Sequence, residues 1–395
     1  MTYEKKYIEE RTKKLKTFMN DNNIDVAIIA KPENVYYLSK FNPILNSHPA
    51  FVIVFREGES CLLVHSIRYD HAKTEGEISN VSLYGKWGEN VSLAMDFIDA
   101  IREIICPGKQ EKINLAVELD YLSIGIYNKI LSKLDINNVV DISIYISMQK
   151  MVKDDLEIGK IRSAATLADV GTETTIEYLR KGYSEAEACT EGQYAMRKVW
   201  HQNFPKEEVA GFGSSEGGVL DTLHCWCMSG GRIAYGCDCP THYVPKEGEL
   251  VLPMTWAKIS GYYAENERTL YVKKIDNFLK KVFATIIEAR GIVFDILKPG
   301  VTFEELYLKA GNVFINNGFE ASMPGRIGHG IGLSAHEFPS VTIGNKIRLT
   351  KGMIFTVEPG LMSSQWGGVR ISDTILVTDT GYEILTKSPS GMLML

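Results

Sequence analysis

Residues 328–339 read Gly328-His329-Gly330-Ile331-Gly332-Leu333-Ser334-Ala335-His336-Glu337-Phe338-Pro339. Glycines at alternate positions let backbone approach its neighbours closely, and the two histidines and the glutamate offer groups for proton transfer or ligation. Two further pieces follow, Glu358-Pro359-Gly360 and Gly368-Val369-Arg370. Around them Met353–Val357 and Val369–Val377 have the composition of a strand pair. Upstream, Glu249–Trp256 and Tyr262–Lys273 flank a Ser260-Gly261 turn and read as a hairpin. Glu265 and Glu267 are two apart on its second arm, so their side chains share a face.

Outward from this region, Leu179 to Glu187 echoes Leu297 to Glu305: a helix end, a glycine turn, then Ser184 or Thr302 as N-cap with acidic residues behind it. The echo predicts a duplicated domain with a pseudo-two-fold axis and a site between its halves. Asp154-Asp155-Leu156-Glu157 carries the acidic first turn of a long helix, with Lys153 and its neighbours as linker. Before it, helical spacing over 4–22 and in Ser92–Ile105 alternates with short apolar runs at Val26–Ala30, Phe51–Phe55, Cys61–His65 and Ile113–Val117, the pattern of an α/β layer domain. The expected domains are 1–150 and 155–395.

Composition narrows the function. The 395 residues carry 43 Lys+Arg and 49 Asp+Glu, a net charge of −6, without the basic surplus of a nucleic-acid binder. An apolar share of 45% and an aromatic share of 10% argue for packed cores rather than disorder. No apolar run approaches the roughly 18 residues of a membrane span, and the charged start MTYEKKYIEERTKKLKTF lacks a secretory apolar segment. A soluble, cytoplasmic protein is expected. Seven cysteines spread over the chain do not form a disulfide framework. Cys225-Trp226-Cys227 and Cys237-Asp238-Cys239 have tighter spacing than a zinc-binding thiolate pair and read as structural thiols, the second pair flanking the site. The glycine tracts at 211–218 and 228–231 lack a strand–loop–helix order and read as plain turns.

The four pieces from Gly328 to Arg370, in this order, resemble the creatinase, prolidase and aminopeptidase P family, and the hairpin from Gly248 to Thr269 fits it too. The resemblance covers nearly the whole chain. It implies a creatinase/prolidase-like α/β N-terminal domain and an α+β "pita-bread" catalytic domain, a duplicated, curved antiparallel sheet covered by helices. It also implies a homodimer in which N-domain residues, His48 here, reach the neighbouring subunit's site. Family metallopeptidases hold two metal ions with two Asp, one His and two Glu. Carried over, the His falls on His329 and one Glu on Glu358, while the other positions fall on Met254, Glu265 and Ser372. A thioether and a hydroxyl cannot offset the repulsion of two adjacent divalent cations, so a dinuclear site is not expected.

The Glu267-Arg268-Thr269 run looks like the metal-free creatinase and ectoine hydrolase-like branch. The expected activity is therefore metal-independent hydrolysis of a C–N bond in a small amidine, guanidino or related compound, with no cofactor. Glu265, Glu267 and Glu358 would hold a cationic planar head bidentately, with Tyr262 as a further binding residue and Arg370 either binding a substrate carboxylate or orienting Glu267. Glu267 or Glu358 would serve as nucleophile, His336 and His329 would move protons, and Asp238 would be a secondary base in place of creatinase's His. One alternative is a metal-dependent Xaa-Pro peptidase with a reduced site, a single Mn, Zn or Co held by Glu265, His329 and Glu358. A second is a non-catalytic small-molecule binder. None of these readings involves nucleic acid or a membrane.

Overall fold

A computed structural model describes residues 3–108, 112–216 and 222–395. The chain divides into two compact units, 1–149 with 211–220, and 150–210 with 221–395. In the first unit the elements run α1 (Tyr3–Asp21), β1 (Val26–Ile29), α2 (Pro32–Ser39), β2 (Phe51–Phe55), β3 (Cys61–His65), α3 (Tyr69–Glu75), β4 (Val81–Tyr84), α4 (Phe97–Ile105), β5 (Ile113–Val117), α5 (Ile124–Lys133) and β6 (Ile136–Asp141). They form a six-stranded mixed sheet, β4-β3-β2-β1-β5-β6. Val26, Ile28, Ile53, Leu63, Leu115 and Val117 pack its core with α4 and α5. Helix α4 starts later than the expected Ser92, because the Asp96 carboxylate caps the Ile98 N–H and fixes the first turn there. Residues 211–216 rejoin this unit: Ser214 N–H donates to Ile44 O, and the Phe212 ring packs tilted against Tyr36, centroids 5.0 Å apart. The rest of the expected 211–218 turn lies outside the described residues.

The connecting helix α6 (Ser143–Met151) leads to α7 (Asp155–Arg180), capped as expected by an Asp154–Glu157 capping box. The remaining elements are α8 (Glu185–Asn203), β7 (His224–Ser229), β8 (Leu250–Ile259), β9 (Tyr262–Arg268), β10 (Leu270–Tyr271), α9 (Asn277–Ile296), α10 (Phe303–Asn316), β11 (His329–Gly330), β12 (Glu337–Ser340), β13 (Ile354–Val357), β14 (Gly360–Ser363), β15 (Gly367–Val377), β16 (Tyr382–Ile384) and β17 (Leu393–Met394). The echoed segments are the joints α7–α8 and α9–α10, each closed by a capping box, Ser184–Glu187 and Thr302–Glu305. An eleven-stranded sheet follows the path β12-β11-β13-β15-β9-β8-β10-β17, and its core runs from Leu252 and Met254 through Phe283, Phe314 and Phe355 to Ile371. Lys153 is no linker: it is buried, its N–H donates to Gly352 O, and its ammonium pairs with Glu337 at 3.1 Å. No helix among the described residues is long and apolar enough to cross a membrane.

Register positions the site. Met254 on β8, Glu267 on β9 and Ser372 on β15 are cross-strand partners, so the three side chains line up on one face. Glu265, paired with Trp256, lies two residues along the same face. The opposite face carries Arg268, Asp373 and Arg290 in a buried ion-pair network that locks β9 to β15 and to α9. At the far edge, the Gly328 backbone lies against β13 so closely that a Cβ there would sit 2.0 Å from Thr356 O, and only glycine admits that approach.

Candidate functional site

Three groups converge on one face of the sheet, carried by β9, by β11 and by the residue just after β13: Glu265 and His329 are buried, and Glu358 is partly buried. Glu265 is 1% exposed; its Oε1 accepts the Ser372 hydroxyl at 2.6 Å and its Oε2 accepts the Trp256 indole N–H at 2.8 Å. His329 Nδ1 lies 3.0 Å from Gly330 O. A carbonyl only accepts, so Nδ1 carries the proton and Nε2 is turned into the site. There it faces Glu265 Oε2 at 3.6 Å and Glu358 Oε1 at 3.5 Å, without a hydrogen-bond partner.

A buried lone pair aimed at two carboxylates is unfavourable unless something positive stands between them. Without a metal a proton does so: burial alone would lower His329, but Glu265 and Glu358 outweigh it and raise the imidazole to about 10. Burial likewise opposes the Glu265 charge, yet His329 and Ser372 hold its carboxyl well below the ordinary range. Glu358 is pushed up by burial and by the Glu265 charge. The spacing also fits a metal: two ligands bonded at about 2.1 Å to a tetrahedral ion stand about 3.4 Å apart. His329 with two carboxylates is a donor set that suits divalent Zn, Mn or Co. The group's other carboxylate is Glu267, whose ligand oxygen lies within 4.8 Å of those of Glu265 and Glu358.

Glu267 is already paired. Arg370 Nη2 donates to its Oε1 at 2.7 Å, Arg370 Nε is in ion-pair contact with its Oε2, and Nη2 also lies 3.0 Å from Met254 Sδ. Burial pushes the Glu267 carboxyl up to about 8 and the guanidinium opposes this; Oε1 accepts the Nη2 hydrogen bond, while Oε2 and Arg370 Nε lie in contact without forming one. A cavity of about 570 Å³ opens beside the group, lined by Glu358, Arg370, Arg326, Ser322, Ser340 and Thr342 among others.

Of the remaining sequence-derived residues, His336 joins the site, its ligand atom within 4.8 Å of those of Glu265 and His329, and the others lie apart from it. His336 is exposed, its ring edge-on to His329 with centroids 4.1 Å apart; burial of part of the ring and the His329 charge push it down to about 4. Asp238 is exposed and tied to Arg232, which lowers its carboxyl, so it is a loop anchor and not a poised base. Tyr262 is buried, but it is three residues from Glu265 on a regular strand and therefore points to the opposite face. His48 belongs to the first unit, where it packs on His65 at 4.6 Å. Cys225 and Cys227 are buried, Cys237 and Cys239 exposed, and no thiol joins a metal-binding group among the described residues. Sequence reasoning missed Trp256 and Arg326. The first could have been found from the hairpin register, which places Trp256 opposite Glu265.

Residues 159–379 match the model of Metallopeptidase family M24, and residues 11–152 match the Creatinase/Prolidase N-terminal domain. A Xaa-Pro dipeptidase of Pyrococcus horikoshii is 29% identical over 98% of this chain and 99% of its own length. The Xaa-Pro dipeptidase of Pyrococcus furiosus is 28% identical over 98% of this chain and all of its own. The solved P. horikoshii prolidase superposes with a TM-score of 0.81 at 28% identity, covering 96% of this chain and 99% of that one. These findings overturn two expectations, the metal-independent amidine or guanidino hydrolase and the absence of a cofactor. The physical reason is that the planar cation expected from a substrate is supplied by Arg370 of the chain itself.

Proposed function

Since the chain belongs to metallopeptidase family M24 and is a hydrolase on that family's two-domain scaffold, we propose that it is a metal-dependent dipeptidase of the Xaa-Pro class. Glu265, His329 and Glu358 would hold one divalent ion. The observation that carries this reading is the buried His329 Nε2 turned between the Glu265 and Glu358 carboxylates at 3.6 and 3.5 Å. A divalent ion there supplies Lewis acidity toward the peptide carbonyl and a water that ionises near neutral pH.

The chain's own residues would supply the rest. Ser372 and Trp256 fix both Glu265 oxygens, and Gly330 O fixes the His329 ring, so the ligand atoms are oriented in advance. Glu358, which also lines the cavity, would take the proton from the attacking water. Glu358 would then return that proton to the departing nitrogen, while the His336 ring beside His329, pushed down to about 4 and so neutral, would orient the substrate by hydrogen bonding. Asp238, held by Arg232, takes no part. The same reading takes the protein as a cytoplasmic homodimer acting on small peptides, with His48 lent to the neighbouring subunit; sedimentation equilibrium checks the dimer.

The test is elemental analysis of protein purified without added metal, combined with hydrolysis of a panel of Xaa-Pro dipeptides. Bound Mn, Zn or Co and turnover lost on chelation are the expected results. Dipeptide binding without cleavage in metal-loaded protein would favour a binder on the same scaffold.

A further inference from the structure

Resting on the metal held by Glu265, His329 and Glu358, we infer that the Arg370 guanidinium is a built-in second cation, so that this site takes one metal ion and is closed to another. The observations are independent of the ligand triad. Arg370 is largely buried and reaches over the sheet face into the same group of carboxylates. It contacts Glu267 through two nitrogens and touches Met254, the side chain across from Glu267 on β8. Ser372, across from Glu267 on β15, turns its hydroxyl to Glu265. Neither neighbour on this row leaves an oxygen charge for a further ion.

Charge balance points the same way. Fully ionised opposite bound cations, Glu265, Glu267 and Glu358 would bring three negative charges into a space where the first two are buried and the third is partly buried. One divalent ion and one guanidinium neutralise them, with His329 neutral as a ligand. A second divalent ion would leave the group with a surplus of two positive charges where desolvated charge is costly. The guanidinium also does what a metal would do mechanically. It holds Glu267 Oε1 by a hydrogen bond and lies against Oε2, which keeps that group from competing for the ion beside Glu265.

The experiment is metal counting by plasma mass spectrometry after equilibration with excess Mn²⁺ and desalting, on the wild type, Arg370→Gln and Arg370→Lys. The expected contents are one ion per chain for the wild type and for R370K, which keeps the positive charge, and two for R370Q, which frees Glu267. Two ions in the wild type, or no gain in R370Q, overturn the inference. A wild type with none and R370Q with one would sink the proposed metal site while leaving the role of Arg370 standing. Should R370Q fail to fold, wild-type crystals soaked in Mn²⁺ decide the matter by anomalous scattering. One peak, with Arg370 still on Glu267, supports the inference; two peaks, or Arg370 displaced from Glu267, refute it.

Discussion

Replacing Lys153 by Met is expected to destabilise the second unit by about 3 kcal/mol, near the lower end of the cost of orphaning a buried charge. Glu337 is paired with Lys153 at 3.1 Å, their side chains 6% and 1% exposed, and Lys150 remains as a longer contact at 3.7 Å, which is why the lower end applies. At roughly 2–4 °C per kcal/mol for a unit of this size, the melting temperature should fall by roughly 6–12 °C. K153M/E337M, which removes the carboxylate as well, should recover more than half of the loss. A pH series adds a signed check. The two lysines hold the Glu337 carboxyl below its ordinary value against burial. Its stabilising contribution is therefore complete above the unfolded pKa near about 4.3 and disappears as pH falls through the lower folded value. In K153M the acid limb of the stability curve should move to higher pH. Differential scanning calorimetry and urea titration provide both readouts. A K153M protein within about 0.5 kcal/mol of wild type, with an unmoved acid limb, would refute the argument.

Three further expectations follow from the site. Ser372→Ala and Trp256→Phe each remove a hydrogen bond that orients Glu265, and should weaken metal binding about 10–100-fold in a competitive chelator titration. Glu358→Gln removes a proposed ligand charge; its metal content after desalting should fall well below that of the wild type, and dipeptide turnover should fall with it. Arg326 lines the cavity beside Glu358 and has no ion pair among the described residues. Arg326→Gln should raise KM for dipeptides with a free carboxylate about 10–100-fold, the worth of one charge-assisted hydrogen bond, with kcat little changed and amidated substrates unaffected.

Much of this site could be read from the chain alone, because its parts obey local rules. Glu265 and Glu267 are two apart on a strand, and the strand period places both on one face. His329 and Glu358 stand in glycine-bearing segments that announce close backbone packing, and the capping residues Asp154, Ser184 and Thr302 mark the helix starts. What stayed hidden depends on partners distant in sequence. Lys153 looks like any residue between two helices until Glu337, 184 positions away, is brought beside it. Arg370 reads from the sequence either as a substrate anchor or as a residue that orients Glu267, and only the pairing of β15 with β9 decides for the second. That single contact reverses the functional reading, since it turns a pocket that seemed to await an external cation into one that already contains its own. Tyr262 was a different kind of miss. Its odd spacing from Glu265 already assigns it to the far side of the strand.

The uneven distribution of thiols has a practical use. Cys61, Cys106, Cys189, Cys225 and Cys227 are buried, and burial raises each of their pKa values, which keeps these sulfurs protonated and slow toward alkylating agents. Cys237 and Cys239 are open to solvent; burial of part of Cys237 raises its pKa too, and it lies close enough to feel the charges of Arg370 and Glu267. A maleimide dye applied to the native protein should therefore attach at the mouth of the site without any cysteine being engineered away, and its emission would follow occupancy of the pocket in real time.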